Sequence, residues 1–329
     1  MRLLRLPAWL LIALVILAAF AWISGALYYD GPVKLLAGIQ AVALLAVFIF
    51  VRGWWRKLGI FAAWFAIVLV WWLMLKPSNE RNWQPDVAQA AWAEINGDEV
   101  TLHNVRNCDY RTETDFTPRW ETRTVRLSQI TGVDLFINYW GSPYMAHPIA
   151  SFQFADALPV CFSIETRKEV GEKYSAIGGL YRQYELACIA ADERDVVRLR
   201  TNYRKGEESY LYRTRVTPER ARQRFLEYVA TINGLRERPR WYNALTTNCT
   251  TGIRTQHPPS ERVPWDWRML VNGKSDEMLY ERDAIATGGL PFAELRKKAL
   301  INTAAQAADQ APDFSTRIRA QTAAIFSPH

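Results

Sequence analysis

From position 6 to position 75 almost every residue is apolar, and the polar breaks fall only at 28–34 and 51–58. The runs left between them, 7–27, 33–51 and 59–75, are each about the length that crosses a bilayer as a helix. A buried core helix accounts for a single run of this kind, and a cleaved signal peptide accounts only for the first. Three in succession with almost no charge inside predict three transmembrane helices. Arg2 and Arg5 precede the first run, and Arg52, Arg56 and Lys57 separate the second from the third, whereas the 28–34 loop holds one acid and one base. By the positive-inside rule the N-terminus and the second loop are cytoplasmic, and an odd number of crossings delivers everything after Lys76 to the outside of the inner membrane. Trp54, Trp55, Trp71 and Trp72 lie near the predicted span ends, where amphipathic indoles sit at the interface.

The remainder of the 329-residue chain is polar enough to fold in water. Its organisation is expected to be an anchor over 1–76, a junction over 77–98, a catalytic domain over 99–260 and a helical extension over 261–329. The net charge of +7 is spread as interleaved acids and bases, which fits a solvated face near an anionic membrane and not a nucleic-acid site. Cys108, Cys161, Cys188 and Cys249 all fall in this outer part, where disulfides can form in an oxidising compartment. Their spacings match no zinc or CxxC pattern, and the four histidines are scattered, so neither a metal nor a cofactor is expected.

The outer part reads as an α+β domain. Residues 86–95 fit a short helix, and Asn96-Gly97-Asp98 is a turn. Strand patterns follow at 99–106, 119–127 and 133–139, the last closed by Gly141-Ser142-Pro143. Residues 146–154 and 160–166 read as a β-hairpin. With its turn centred near Asp156, His147 and Glu165 lie opposite each other on one face of the ladder. A slip of one residue would bring Ile164 or Thr166 up to the imidazole instead. Residues 183–190 fit an edge strand, and 192–204 fit a helix or an exposed connection equally well. A last strand is expected over 210–216. Thr217-Pro218-Glu219 then starts a helix with Phe225, Leu226, Val229 and Ile232 on one face, ending near Asn233-Gly234. A further helical stretch is expected at 291–310.

The chemistry centres on Thr247-Asn248-Cys249-Thr250-Thr251, which follows Tyr242-Asn243 and precedes a short segment ending at Pro258-Pro259. A thiol at the N-terminus of a short helix has unpaired backbone N–H groups and the helix dipole to favour its thiolate. A lone cysteine is more commonly a small apolar core residue, so the neighbours decide. A thiol nucleophile needs a base, a group that holds the base, and N–H donors for the oxyanion. His329 is terminal and His257 abuts two prolines; His103 lies in a strand pattern, and His147 opens a strand of the central sheet and fits best.

The order of a strand histidine, a long gap and Asn-Cys at a helix start resembles the permuted papain-like acyltransferases related to lecithin:retinol acyltransferase and to NlpC-type hydrolases. More closely, the apolar N-terminal runs followed by Arg106, Ala146-His147-Pro148-Ile149-Ala150-Ser151-Phe152, Ser163-Ile164-Glu165-Thr166-Arg167, Tyr242-Asn243, Thr247-Asn248-Cys249-Thr250-Thr251 and Asp266-Trp267-Arg268 resemble the Lnb family of lipoprotein N-acyltransferases. The resemblance runs from about residue 100 to residue 319. It implies a papain-like fold with an antiparallel sheet and packed helices. It also implies that Cys249, activated by His147, takes an acyl chain from the diacylglyceryl group of a bacterial lipoprotein and passes it to the lipoprotein's N-terminal amine. Glu165 would orient the base, and Asn248 with backbone N–H groups around Cys249 would hold the oxyanion. Tyr242, Asn243, Thr250 and Arg167 are the further candidate substrate contacts. The partner is then a lipid or lipoprotein in the membrane, and Trp241, Tyr242, Trp265 and Trp267 could line a channel to it or simply pack in a core. Two other readings stand beside this one: a membrane-anchored thiol peptidase or amidase acting on cell-wall peptide, and a non-enzymatic envelope protein with a structural Cys249.

Overall fold

A computed structural model describes residues 5–246, 266–268 and 273–326 of the chain. Asn248, Cys249, Thr250, Trp265, His257 and His329 lie outside the described residues. The chain divides into two compact units, one made of Met1–Ser78, Lys173–Glu185 and Trp241–Ala244, the other of Asn79–Glu172, Leu186–Arg240 and Leu245–His329.

The first unit is built on helices α1 (Arg5–Tyr29), α2 (Leu35–Phe50) and α3 (Trp54–Met74). Ile23, Ala26, Leu27, Leu44, Phe61 and Val68 are buried where the three meet, with the Trp22 ring against Phe65 and Trp72. The polar groups inside this contact are paired. Gln40 donates to Ser24 Oγ at 2.6 Å and its Oε1 accepts from the Trp64 indole at 3.2 Å. Elsewhere the helices turn leucine, isoleucine and valine outward, as a lipid-facing surface does.

All three apolar runs are helical, yet among the described residues two helices have the length and composition to cross a bilayer: Trp9–Tyr29 and Trp54–Met74, each 21 residues. The expectation of three full spans is thereby corrected. Helix α2 has 16 residues, about 24 Å at 1.5 Å per residue against a hydrocarbon core of about 30 Å. It is cut short because Val51 is extended, at ψ 128°, and Gly53 takes φ +91° before α3 begins. The parity argument that sends everything after Lys76 to the outside needs this short helix to cross as well, so it no longer stands on helix length.

The second unit is an α+β fold around an eight-stranded, mostly antiparallel sheet. Its strands are β1 (Trp92–Asn96), β2 (Glu99–Arg106), β5 (Trp120–Arg126), β6 (Ile130–Trp140), β7 (Ser142–Phe154), β8 (Val160–Arg167), β9 (Glu185–Ala191) and β10 (Glu207–Arg213), in the order β1-β2-β9-β8-β7-β6-β10 with β5 also on β2. A separate ribbon pairs β3 (Asp109–Tyr110) with β4 (Phe116–Thr117). Parallel pairing occurs where β2 meets β9.

Alternation along the strands gives the sheet two apolar faces. On one, Ala150, Phe152, Phe162, Val100 and Leu102 pack against Phe225, Val229 and Ile232 of helix α5 (Pro218–Glu237). On the other, Phe136, Ile149, Cys161, Ile189 and Leu211 pack against Val196 and Val197 of α4 (Glu193–Arg198) and against the C-terminal residues Ile301, Ala305, Phe314 and Ile318. The C-terminal segment is also tied to the sheet by charge. Arg319 donates to Glu193 at 2.5 and 2.8 Å and to Asp134 at 2.9 Å.

Several local expectations need correction. Residues 86–95 are not a helix: a single 3₁₀ turn at Pro85–Val87 gives way to β1, which forms a hairpin with β2 across Gly97 at φ +60°. Strand β9 is no edge strand, since it lies between β2 and β8, and both its faces are buried. Residues 192–204 form α4 and a wider π-helical turn, Leu199–Tyr203, with buried Arg198 and Arg200, so they are no exposed connection. Helix α5 continues past Asn233-Gly234 to Glu237. The stretch 291–310 breaks into Phe292–Ala299 and Asn302–Ala307.

Candidate active site

Strands β7 and β8 pair with Ile149 opposite Ser163 and Ser151 opposite Cys161. The turn is centred on Asp156, and the same register carried two residues further places His147 opposite Glu165. Ile149 and Cys161 belong to the apolar face covered by α4. Continuing along that face toward the sheet end, the row changes from Ile149 and Cys161 to His147, Ser163 and Glu165. The polar cluster is thus the end of an otherwise apolar row.

The geometry is closely connected. His147 Nε2 lies 2.7 Å from Ser163 Oγ, and Ser163 Oγ lies 2.8 Å from Glu165 Oε1. The direct distance from His147 Nε2 to Glu165 Oε1 is 4.0 Å, so the serine bridges the two. Asn138, opposite His147 on β6, donates to the His147 carbonyl at 2.9 Å and accepts from Ser209 at 2.7 Å. Among the described residues, Nδ1 of His147 makes no hydrogen bond, which leaves that nitrogen for a group outside the sheet.

Charge surrounds the carboxylate. Arg106, at the end of β2, and Arg200, in the π-helical turn after α4, each approach Glu165 to 4.0 Å. Arg106 is buried and is held by Asp195 at 2.8 and 2.9 Å and by the Asp86 carbonyl at 2.9 Å. Arg200 pairs with Glu207 at 3.0 Å. Burial pushes the Glu165 carboxyl up, but Arg106, His147, Arg200 and Arg204 together outweigh it and hold it well below the usual carboxylate range. Burial, and then Arg200, push the His147 imidazole down to about 3 from an ordinary 6.5, with Glu165 opposing. At neutral pH the ring is therefore neutral beside an ionised carboxylate. A neutral imidazole can accept a proton; in this buried, arginine-lined position the resulting imidazolium needs a compensating anion close by.

The other candidates are placed as follows. Tyr242 and Asn243 belong to the first unit. Tyr242 is buried, its N–H donates to the Tyr184 carbonyl at 2.9 Å, and Asn243 Nδ2 donates to the Leu180 carbonyl at 3.4 Å. Arg167 is buried and holds the chain before β1, donating to the carbonyls of Val87 and Ala88 at 3.0 Å each and to Asn79 at 2.8 Å, with its guanidinium 4.4 Å over the Trp83 ring. His103 is stacked on Trp92, with ring centroids 4.0 Å apart, on β2, which β9 and β8 separate from His147's strand. Asp266 and Arg268 form a two-pronged pair at 2.9 and 3.1 Å, and Trp267 is half exposed. The described thiols Cys108, Cys161 and Cys188 are buried and free, and burial pushes Cys108 and Cys188 up to about 12. These three suit packing and not nucleophilic work.

Ser163, Arg200 and Asn138 were not singled out by the sequence. Ser163 had a signal, since period-two alternation places it with Glu165 on the face of His147. Arg200 had none, because its position depends on how the turn after α4 folds over the sheet.

Residues 116–273 match the family model described as the Lnb N-terminal periplasmic domain. That stretch is similar to the Lnb periplasmic domain. The matched stretch takes in His147, Ser163, Glu165, Arg200, Tyr242 and Cys249, while Arg106 precedes it. No curated protein and no solved structure matches the chain. A stretch similar to the Lnb periplasmic domain, preceded by two apolar helices of spanning length, points to a membrane-anchored protein with an extracytoplasmic domain.

Proposed function

We propose that this protein is a thiol acyltransferase of the inner membrane in which Cys249 attacks and His147 takes its proton. The observation that carries the reading is the buried, neutral His147 imidazole, fixed through Ser163 to a carboxylate that two arginines keep ionised. Such a base is oriented, since its Nε2–H donates to a Ser163 hydroxyl whose own proton goes to Glu165, has a lone pair on Nδ1 to accept a proton, and becomes stably charged only beside a thiolate.

The donor is an ester of a lipoprotein's diacylglyceryl group. The thiolate adds to the ester carbonyl, the C–O bond breaks, and the departing alkoxide takes the proton held by His147, leaving a Cys249 thioester. The lipoprotein's N-terminal amine then adds to the thioester carbonyl, the C–S bond breaks, and His147 receives the amine's proton as the amide forms. Asn248 and the N–H groups around Cys249 stabilise the oxyanion in both halves. Glu165 orients the ring and offsets its charge. A permuted papain-like architecture belongs to the same reading.

The test is acyl transfer by the purified full-length protein in phospholipid vesicles, with a diacylated lipopeptide as substrate and mass spectrometry of the peptide as readout. Wild type should yield the N-acylated peptide. Cys249→Ala should abolish it, and His147→Gln should lower the rate by about 10²–10⁴, the range for loss of a positioned base. Release of free fatty acid or cleaved peptide without N-acylation would transfer the same residues to a hydrolase.

A further inference from the structure

The segment Lys173–Glu185 follows β8 in sequence but is compact with the membrane helices. Its Arg182 reaches the end of α3. One guanidinium nitrogen donates to the carbonyls of Trp72, Leu73 and Leu75 at 2.6, 3.1 and 2.9 Å, and the group lies 4.0 Å over the Trp72 ring. The Arg182 N–H donates to Asp30 at 3.1 Å, and Asp30 also accepts from the Trp72 indole at 2.6 Å. A cation and an indole gathered around the last carbonyls of an apolar helix mark the headgroup level.

Tyr181 reaches below that level. Its ring stacks on Tyr29 with centroids 5.4 Å apart, and its hydroxyl fills the space beside Gly25, where a Cβ would come within 1.9 Å of it. Gly25 lies about one turn, some 6 Å, further into the span than Tyr29. Gly178 must also be small, since a Cβ there would stand 2.0 Å from Gln183 Oε1 and 3.1 Å from the Tyr29 ring. The same loop then presents Tyr174, Ile177 and Leu180 outward at 47%, 60% and 41% exposure, beside exposed Lys173.

We infer that Lys173–Glu185 is a lipid-contacting loop, seated at the boundary between headgroups and acyl chains at the Tyr29 and Met74 ends of the helices, with Ile177 and Leu180 turned into the bilayer. The occupant of this apolar patch is the surrounding phospholipid. The patch is continuous with the lipid-facing helices, and Tyr181 fixes the loop at a depth where water is already excluded. Lys173 and Arg182 suit anionic headgroups. The backbone of this loop also holds residues 242–244: the Gly179 carbonyl accepts from the Ala244 N–H at 2.7 Å and the Tyr184 carbonyl from the Tyr242 N–H at 2.9 Å.

The lipid contact does not depend on the chemistry of Cys249, and its test contains no turnover. In a full-length Cys249→Ser background, whose other three thiols are buried, Ile177→Cys and Tyr174→Cys are labelled with an environment-sensitive fluorophore. Leu73→Cys on α3 serves as a lipid-exposed reference. In phosphatidylethanolamine–phosphatidylglycerol vesicles, the labels at 177 and 174 should emit blue-shifted light. They should be quenched by lipids brominated near the headgroup end of the chain, as at position 73, and should resist aqueous iodide. Quenching of both loop labels by iodide with no effect of brominated lipid would overturn the inference.

Discussion

Ser163 joins two groups whose charge states are set against each other: an imidazole kept neutral by burial and Arg200, and a carboxylate kept ionised mainly by Arg106. Removing the hydroxyl should leave His147 without its orienting bond while Glu165 keeps its arginines. We expect Ser163→Ala to cost about 1–3 kcal/mol of stability, the price of a buried polar partner left unpaired, and to slow acyl transfer by roughly ten- to a hundredfold, as a loss of about 1.4–2.8 kcal/mol in the transition state would. Denaturant unfolding and transfer rates measured on the same preparation check both. Acid should act through the same pair. The unfolded imidazole takes a proton below 6.5, whereas the folded ring refuses it until about 3. The unfolded chain therefore binds more protons in that window, and stability rises with pH across it. Glu165, with a lowered folded value, adds stability that is present above 4.5 and lost as pH falls through that lowered value, so the two work in the same direction. Unfolding midpoints should fall as pH drops from about 6.5 to about 4.5, and His147→Gln should flatten that fall by up to about 1.4 kcal/mol per pH unit.

At the scale of elements, the hairpin of β7 and β8 was legible because alternation and a single turn residue, Asp156, determine its register, and that register alone brings His147 to Glu165. Strand β9 was misplaced at an edge although Glu185–Ala191 is almost continuously apolar, the pattern of a strand covered on both faces. Residues 86–95 failed as a helix because the pairing of Trp92–Asn96 with β2 overrides a weak local preference. Arg106 and Arg200 reach Glu165 only through the stacking of α4 and its π-helical turn on the sheet, a long-range event no local pattern records. Helix α5 was read from its cap and apolar face. Its anchor is Phe225, fully buried against Phe152, Phe154 and Phe162 at centroid distances of 5.2, 5.8 and 5.7 Å. Phe225→Ala should destabilise the domain by about 3–5 kcal/mol, read as a lowered denaturant midpoint with an unchanged slope. A loss under about 1 kcal/mol would mean that α5 does not cover the sheet in this way.

For the whole molecule, two helices of spanning length precede a stretch similar to the Lnb periplasmic domain, which points to a membrane-held chain with an extracytoplasmic domain. The proposed acyltransferase would then meet a lipid substrate by diffusion in two dimensions. The central claim is that the acyl group passes through Cys249 with His147 as base, and the most direct measurement is the intact mass of the full-length protein. Incubated with a diacylated lipopeptide whose N-terminus is blocked, so that no acceptor amine is present, wild type should gain the mass of one acyl group in place of one hydrogen. That adduct should be released by neutral hydroxylamine, be absent from Cys249→Ala, and form more slowly in His147→Gln. An unmodified wild-type mass under conditions that support acyl transfer to an unblocked peptide, or an adduct that persists in Cys249→Ala, would contradict the account.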